Sequence, residues 1–371
     1  MKVLLTNYSE FSLPGGVHKT ISQTAQHLSK MGNEVIILQT NPCNLQPIEN
    51  TDGISILRIN SPIGKILYGL SPETCHYLKN HINTMNPDIV HIHGYHTLFS
   101  LGIINVLKKQ GYPIVFSPHY GTESHSSLGG RFLWSFYNIT LGKKIIDFSD
   151  KIICASNYEK NNIQRTFNLP PNKIEIIAHG VDAIDLNKSF TIKKQPIRLL
   201  FIGYLLPTKG IQYILYALHQ LLKKYKQEAE LKIIGQGPYY PKLIEIIRTL
   251  SLETSISWQP FLKPSEVYRA LKNADITLLL SESENYGIVV TESLAMGTPV
   301  IVAKRSALIE FLNEPGCYGI DFPPDPNELA ELIINIYNSG SPVGPFSKKI
   351  RLWSSVTEDY LKVYKQLKQN R

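Results

Sequence analysis

Ile276-Thr277-Leu278-Leu279-Leu280-Ser281-Glu282-Ser283-Glu284-Asn285-Tyr286-Gly287-Ile288-Val289-Val290-Thr291-Glu292-Ser293-Leu294-Ala295-Met296-Gly297-Thr298-Pro299-Val300-Ile301-Val302 is the stretch that decides the fold. Ile276–Leu280 is an unbroken apolar run, the pattern of a strand buried on both faces. It runs out into the acidic loop Glu282–Asn285, and a helix starts near Gly287. Val289–Met296 continues that helix. Gly297-Thr298-Pro299 then turns the chain into a second apolar strand, Val300–Val302. Two apolar strands joined through a helix form a parallel crossover unit.

The same alternation extends in both directions. Downstream of the N-terminus, strands are predicted at Val3–Thr6, Glu34–Leu38, Asp88–His93, Ile114–Ser117 and Lys151–Cys154, with helices at Val17–Lys30, Glu73–Met85 and Leu98–Lys108. A polar, lysine-rich stretch without periodicity follows, and 187–196 reads as a linker. The alternation then restarts with strands at Arg198–Ile202 and Leu231–Ile234 and helices at Gly210–Lys224, Pro241–Leu250 and Ser265–Lys272. The fold class is therefore α/β, with one sheet in residues 1–186 and another in 197–353. Ligands of open parallel sheets bind beyond the carboxyl ends of the strands, so two such domains facing each other would make a cleft. The last segment, 354–371, carries the amphipathic stripe Val356, Tyr360, Val363, Tyr364 and Leu367, able to close back on either domain.

Composition excludes several classes. A chain of 371 residues, 43% hydrophobic and 18% charged, is globular and long enough for two domains. The four cysteines, Cys43, Cys75, Cys154 and Cys317, form no Cys-x-x-Cys pair, which removes zinc ribbons and thioredoxin motifs and fits a reduced, cytosolic protein. The apolar run after Lys2 is too short for a signal peptide, and no run reaches a membrane span. The net charge of +8 lies mostly after residue 185. It suits a phosphorylated ligand or an anionic membrane, and no nucleic-acid module accompanies it.

Within the deciding stretch, the free N–H groups at the start of the helix suit a diphosphate, and Gly287 lets its oxygens approach. Glu284 precedes the helix and can reach sugar hydroxyls. Glu292, more than a turn inside, can accept from a ribose diol. An acidic loop with a surface glutamate explains the same residues, and spacing leaves both readings open. Phe201-Ile202-Gly203-Tyr204-Leu205-Leu206-Pro207-Thr208-Lys209-Gly210 puts a lysine at a helix start, where the dipole disfavours a cation unless a phosphate is bound. A solvated lysine beside a turn glycine is the plain alternative. Leu13-Pro14-Gly15-Gly16 follows the first strand and reads either as a phosphate-approach loop or as a tight turn.

His91 and His93 share one face of their strand, and His96, His119 and His125 follow. Three histidines can hold zinc, but neither His-x3-His nor His-Glu-x-x-His spacing appears. A polar edge or satisfied core positions are preferred, and no metal is expected. His119 directly follows a buried strand and is the one placed at a ligand edge. Gly129-Gly130-Arg131-Phe132-Leu133-Trp134-Ser135-Phe136-Tyr137, running on to Lys143-Lys144, reads as a core helix with a solvated end in preference to an interfacial one.

In order along the chain, these motifs resemble the GT-B glycosyltransferases, in particular glycosyltransferase family 4. The match includes Gly15-Gly16, His179-Gly180-Val181-Asp182, Ile234-Gly235-Gln236-Gly237-Pro238 and, most specifically, Glu284 to Glu292 with Gly297-Thr298-Pro299-Val300 behind it. The resemblance implies two facing Rossmann-like domains, the first binding an acceptor and the second a nucleotide sugar, with the final helix returned to the first domain. It implies Glu284 on the donor sugar, Glu292 on the ribose, and the Gly287, Ile288 and Val289 N–H groups and Lys209 on the diphosphate. Gly15, Gly16 and Gly203 would approach the donor. Phe261 and Leu262, in the segment Trp258–Leu262, would lie near the base. His119 matches the family's histidine near the reacting sugar.

One position departs from the family. Tyr204 stands where an arginine usually joins the lysine at the diphosphate, and it supplies no charge; Lys304 or Arg305 could substitute. The loop of His119 also differs, with Tyr120 before Gly121. The resemblance implies transfer of a hexose-type sugar from a nucleotide sugar to a saccharide or lipid-linked acceptor, retaining configuration, without metal or cofactor. Lys209 and the helix end would stabilise the leaving diphosphate. The alternatives are a non-catalytic GT-B subunit that binds a nucleotide sugar, a phosphorylase or a nucleotide-sugar epimerase. A cytoplasmic protein is expected, with a peripheral contact to an anionic membrane at its inner face.

Overall fold

The unbroken apolar runs become inner strands of two parallel sheets in the structure of the chain, a computed structural model. It describes all residues except 10–14, 63–68, 109, 122–127, 186–195, 341–342, 345, 347–348 and 370–371, and omits the side chains of 128–131 and 133. The expected linker, apart from Pro196, and Leu13, Pro14 and His125 lie outside the described residues.

The chain divides into two compact units, Met1–His179 with Trp353–Arg371, and Gly180–Leu352. Residues 180–185, expected in the first domain, belong to the second unit. The Val181 N–H donates to Arg351 O at 2.8 Å and the Asp185 N–H to Ala295 O at 2.7 Å. Trp353, expected to close the second domain, belongs to the first unit, where its side chain is buried in the core.

Unit 1 is built on β1 (Lys2–Asn7), β2 (Glu34–Thr40), β3 (Ile48–Thr51), β4 (Ile54–Ile59), β5 (Ile89–His93), β6 (Ile114–Ser117), β7 (Lys151–Cys154) and β8 (Ile174–Ile176). Their order across the sheet is β3-β4-β2-β1-β5-β6-β7-β8. All pairs are parallel except β3–β4, a hairpin that the pattern of buried runs does not predict. Its helices are α1 (Gly16–Lys30), α2 (Pro72–Met85), α3 (Leu98–Leu107), α4 (Leu128–Tyr137), α5 (Lys143–Phe148), α6 (Asn157–Phe167) and, from the C-terminal segment, the seventeen-residue helix Trp353–Gln369. One face of the sheet packs on α2, α3 and α5 through Leu78, Ile82, Phe99, Ile103 and Ile145. The other packs on α1 and the C-terminal helix through Ile21, Leu28, Trp353, Val356, Tyr360 and Tyr364.

Unit 2 holds β9 (Ile197–Ile202), β10 (Ala229–Ile234), β11 (Ile256–Gln259), β12 (Ile276–Leu279), β13 (Val300–Ala303) and β14 (Cys317–Ile320), in the order β11-β10-β9-β12-β13-β14. Every pair is parallel. The helices between them are α7 (Ile211–Lys223), α8 (Tyr240–Thr249), α9 (Pro264–Asn273), α10 (Ile288–Ala295) and α11 (Pro326–Ser339), and the C-terminal helix of unit 1 is α12. Counted from β9, the order is third, second, first, fourth, fifth, sixth. That is the doubly wound order, in which the chain reverses its winding direction between first and fourth strands. The loops leaving β9 and β12 therefore stand at the switch point of the carboxyl edge, where doubly wound sheets hold their ligands in a crevice.

Candidate functional site

Both loops at that crevice carry residues singled out from the sequence. The loop after β9 contains Gly203, Tyr204 and Lys209, and the loop after β12 contains Glu284 and Gly287. They are stitched together by the Glu282 N–H, which donates to Thr208 O at 2.7 Å. Gly210 caps α7 at φ +75°, and a side chain there would run into the Leu280 carbonyl. That close approach brings Lys209 to Glu284: Lys209 Nζ donates to Glu284 Oε1 at 2.6 Å, and both side chains are about three-quarters or more buried. Ser281 Oγ donates to the same carboxylate oxygen at 2.8 Å. The Glu284 N–H donates to Ser306 Oγ at 2.9 Å and its carbonyl accepts from the Ala307 N–H at 3.2 Å. The loop after β13 thus fixes the backbone of Glu284, and sequence reasoning missed Ser281 and Ser306 because their role is set by this packing.

Gly287 is the N-cap of α10 at φ +104°. The first intrahelical bond is donated by the Val290 N–H to Gly287 O. The N–H groups of Ile288 and Val289 precede it and have no acceptor within the helix. Glu292 is buried and lies four residues after Ile288, on the same helix face. An ammonium group, a carboxylate with two donors and a helix N-terminus therefore stand at one crevice. Such a set accepts an anion with attached hydroxyls.

The other residues expected at the donor sit around this centre to different degrees. Tyr204 follows Gly203 at the β9 end and is 55% exposed. Of the two substitute cations, Lys304 pairs with Asp321 at 3.1 Å. Arg305 lies over the Phe322 ring at 5.0 Å and 3.9 Å from Glu282, next in sequence to the Ser306 that holds Glu284. Phe261 and Leu262 follow β11, with Phe261 exposed. The Trp258 Nε1 donates to Gly235 O at 3.0 Å and its ring meets Tyr240 edge-on.

In unit 1, Gly15 and Gly16 form the start of α1, and His119 leaves β6 at φ +50°. The histidines that share a strand face come together there. His91 and His93 rings lie 4.1 Å apart, and His93 Nδ1 is 3.1 Å from His119 Nε2. His119 in turn stacks on His179 at 6.0 Å, and His179 Nδ1 lies 3.3 Å from Thr20 Oγ1. Burial holds the imidazoles neutral, with His91 lowered to about 3, His179 to about 4, and His93 and His119 well below the usual value. His96 stacks on Trp134 and on Tyr120, the residue after His119. Among the described residues no three metal-ligating groups converge. Glu159, absent from the sequence reading, is buried beside the His119 loop; its carboxylate accepts from the Tyr120 N–H at 2.6 Å and the Ala155 N–H at 2.7 Å. The Ser156-x-x-Glu159 spacing was a readable helix-start signal, but its reach to Tyr120 was not.

The helix reading of Phe132–Tyr137 needs correction on its outer face. Trp134 and Tyr137 pack on the core, yet Phe132, Phe136 and Ile139 are 74%, 57% and 70% exposed. Spaced four and three residues apart, they share one side of a helical segment that runs on through Lys143 and Lys144 to Phe148. Among the described residues no helix is long and apolar enough to cross a membrane.

Comparisons with known proteins bear on the family and the fold. Residues 14–184 match the Glycosyltransferase Family 4 model and residues 182–352 the Glycosyl transferases group 1 model. An alpha-monoglucosyldiacylglycerol synthase of Acholeplasma laidlawii is 25% identical over 374 residues, 93% of this chain and 91% of its own. A glycosyltransferase of Methanocaldococcus jannaschii is 24% identical over 332 residues, 85% of this chain and 83% of its own. Among solved structures, sucrose-phosphate synthase from Thermosynechococcus elongatus superimposes with a TM-score of 0.80 at 17% identity, covering 100% of both chains. HepE of Anabaena, solved with UDP and glucose, does so with a TM-score of 0.69 at 15% identity, covering 100% of this chain and 98% of its own. With its motifs falling in the family's order and the two family models together spanning most of its length, the chain belongs to the family 4, group 1 glycosyltransferases and has the GT-B fold.

Proposed function

We propose that unit 2 binds a nucleoside-diphosphate hexose and that the protein transfers the hexose, with retention, to a saccharide or lipid-linked acceptor held by unit 1. The observation that carries this reading is the meeting of Lys209, Glu284 and the start of α10 at the switch point of the second sheet. On binding, the diphosphate takes Lys209 from Glu284, and the freed carboxylate accepts from hydroxyls of the sugar. The N–H groups of Gly287, Ile288 and Val289 complete the diphosphate site, and Glu292 takes the ribose. Gly203 and Tyr204 line the donor, Phe261 and Leu262 flank the base, and Gly15 and Gly16 approach from α1. Arg305 is assigned the charge that Tyr204 lacks, since it is next in sequence to the Ser306 that holds Glu284. HepE, a structural neighbour, has been solved with UDP and glucose, which favours the same donor class here.

Leaving-group charge develops on the diphosphate as the glycosidic bond breaks. Fixed donors aimed at it lower the barrier without bulk water. Lys209 and the α10 N-terminus fill the role of a divalent ion, so no metal is required. Glu284 and Glu292 are assigned to binding and not to flanking the bond as the carboxylates of a glycosidase do. Front-face attack by the acceptor follows, with His119 steadying the sugar. The exposed Phe132, Phe136 and Ile139 beside Lys143 and Lys144 support docking of this cytoplasmic protein on an anionic inner membrane face. The Acholeplasma relative is named for a lipid product, in keeping with a lipid-linked acceptor.

The test is nucleotide release from UDP-, GDP- and ADP-sugars in EDTA, with ligand-induced thermal shifts on the same samples. Lys209→Ala is expected to lower turnover by about 10²–10³-fold, and Glu284→Ala to lower it comparably. The transferred sugar, read by NMR, keeps its anomeric configuration. Binding without release, even with added acceptors, would favour a non-catalytic subunit. Phosphate-dependent release would favour a phosphorylase, and an epimerised donor an epimerase.

A further inference from the structure

His119 is held both at its backbone and at its ring. Its φ of +50° is in the left-handed region, where a residue with a side chain persists only when its surroundings enforce it. The next N–H, that of Tyr120, is taken at 2.6 Å by Glu159 Oε1, and the other oxygen of Glu159 takes the Ala155 N–H at 2.7 Å. In an ordinary capping box this carboxylate would return to the N-cap N–H of its own helix. Here Ser156 caps Glu159, while the carboxylate spans from the start of α6 to the end of β6. The ring of His119 is held from the other side by His93, with 3.1 Å between His119 Nε2 and His93 Nδ1.

The bond between the two rings has a direction. Burial keeps His93 neutral, so it carries one proton. Its Nε2 is buried and has no hydrogen-bond partner among the described residues. A proton there would be an orphaned donor, a rarer and costlier state than an idle lone pair. The proton therefore sits on Nδ1 and is donated to His119 Nε2. The proton of His119 is then on its Nδ1, and any bond from that ring to a sugar is a donated one.

We propose that His93 and Glu159 are positioning residues that hold His119 in one pose and one tautomer, as a hydrogen-bond donor to the substrate and not as a base. The role in turnover rests on the glycosyl-transfer reading above; the clamp itself does not. His93→Leu removes the ring donor, and His93→Asn retains one, because the Asn amide nitrogen reaches the place of Nδ1. Glu159→Gln keeps one acceptor oxygen and turns an amide N–H toward the other backbone N–H.

The experiment has two arms. The first records ¹⁵N NMR of histidine-labelled, ligand-free protein, with His119→Gln for assignment. The expected wild-type signal is His119 protonated at Nδ1, shifted toward the Nε2–H form in His93→Leu and retained in His93→Asn. A wild-type His119 protonated at Nε2, or a tautomer indifferent to His93→Leu, overturns the clamp. The second arm measures turnover of whichever sugar nucleotide the wild-type protein uses. His93→Leu and Glu159→Gln should lower kcat by about tenfold with donor KM within about twofold, and His93→Asn should recover most of it. A tautomer that moves while kcat does not would overturn the positioning role and leave the donor reading intact. A wild-type protein without turnover on any donor would count against the transfer reading, and the NMR arm would still decide the clamp.

Discussion

Lys209 and Glu284 lie 75 positions apart in the chain and 2.6 Å apart in space. The residue that permits this is Gly210, whose Cα passes so close to the Leu280 carbonyl that a methyl group would overlap it. Gly210→Ala is expected to cost at least about 2 kcal/mol, from left-handed backbone strain plus the clash, and to separate the pair. Gly340 has a left-handed φ as well, but none of the described residues comes within 4 Å of an added Cβ. Gly340→Ala should cost about 1 kcal/mol or less, the backbone part alone. Denaturant unfolding of the two variants compares them directly. Equal losses would show that the close approach at Leu280 carries no weight. Gly210 was legible in the sequence as a turn residue; the carbonyl facing it was not.

At the scale of elements, α4 and the turn after it present one face to the core and one to solvent. Trp134 and Tyr137 pack around Tyr95 at ring distances of 5.7 and 5.4 Å, which uses up the inner face. Phe132, Phe136 and Ile139 are left outside. Three exposed large apolar side chains along one stripe beside lysines are costly in water unless something covers them. The protein is expected to sediment with anionic vesicles at low salt and to be released by Phe132→Ser/Phe136→Ser or by high salt. Failure to sediment would remove the membrane contact from the functional reading. The aromatic content of this segment was readable, but which side of the helix faces the sheet depends on Tyr95, which enters from another part of the chain. The β3–β4 hairpin was missed although Asp52-Gly53, with φ of +47° and +76°, is a two-residue turn signal. Its strands are short and partly exposed, so the search for buried apolar runs passed over them.

At the scale of the whole molecule, each unit owns a sheet and a core, and unit 1 carries a row of buried imidazoles. His91, His93 and His179 have folded-state values below the usual 6.5, with His91 at about 3 and His179 at about 4. Between those values and 6.5 the unfolded chain binds protons that the folded one refuses, so stability falls as pH drops through this window. Each contributes on the order of 1 kcal/mol per pH unit. Glu159 works in the opposite sense: burial raises it from 4.5 to about 7, so its folded form gains protons first and its contribution grows as pH falls from 7 to 4.5. Three histidines outweigh one carboxyl. Thermal melts should therefore show a lower Tm at pH 5 than at pH 7, by at least about 5 °C. An unchanged or higher Tm at pH 5 would mean that the imidazole row is accessible to water.

The sequence by itself determined what depends on neighbours in the chain. Apolar runs of strand length, helices between them and glycines at the turns established two parallel sheets, and parallel sheets put their loops, with Lys209, Glu284 and Gly287, at one edge. Tertiary structure decided what depends on residues distant in the chain. Tyr364 reaches His91 across 273 positions, which places α12 on unit 1; its amphipathic stripe alone fitted either domain. His93, Glu159 and His119 meet only because β5, β6 and the start of α6 are brought side by side. An apolar pattern states that a face must be buried, but the partner that buries it is chosen by packing, which no local spacing records.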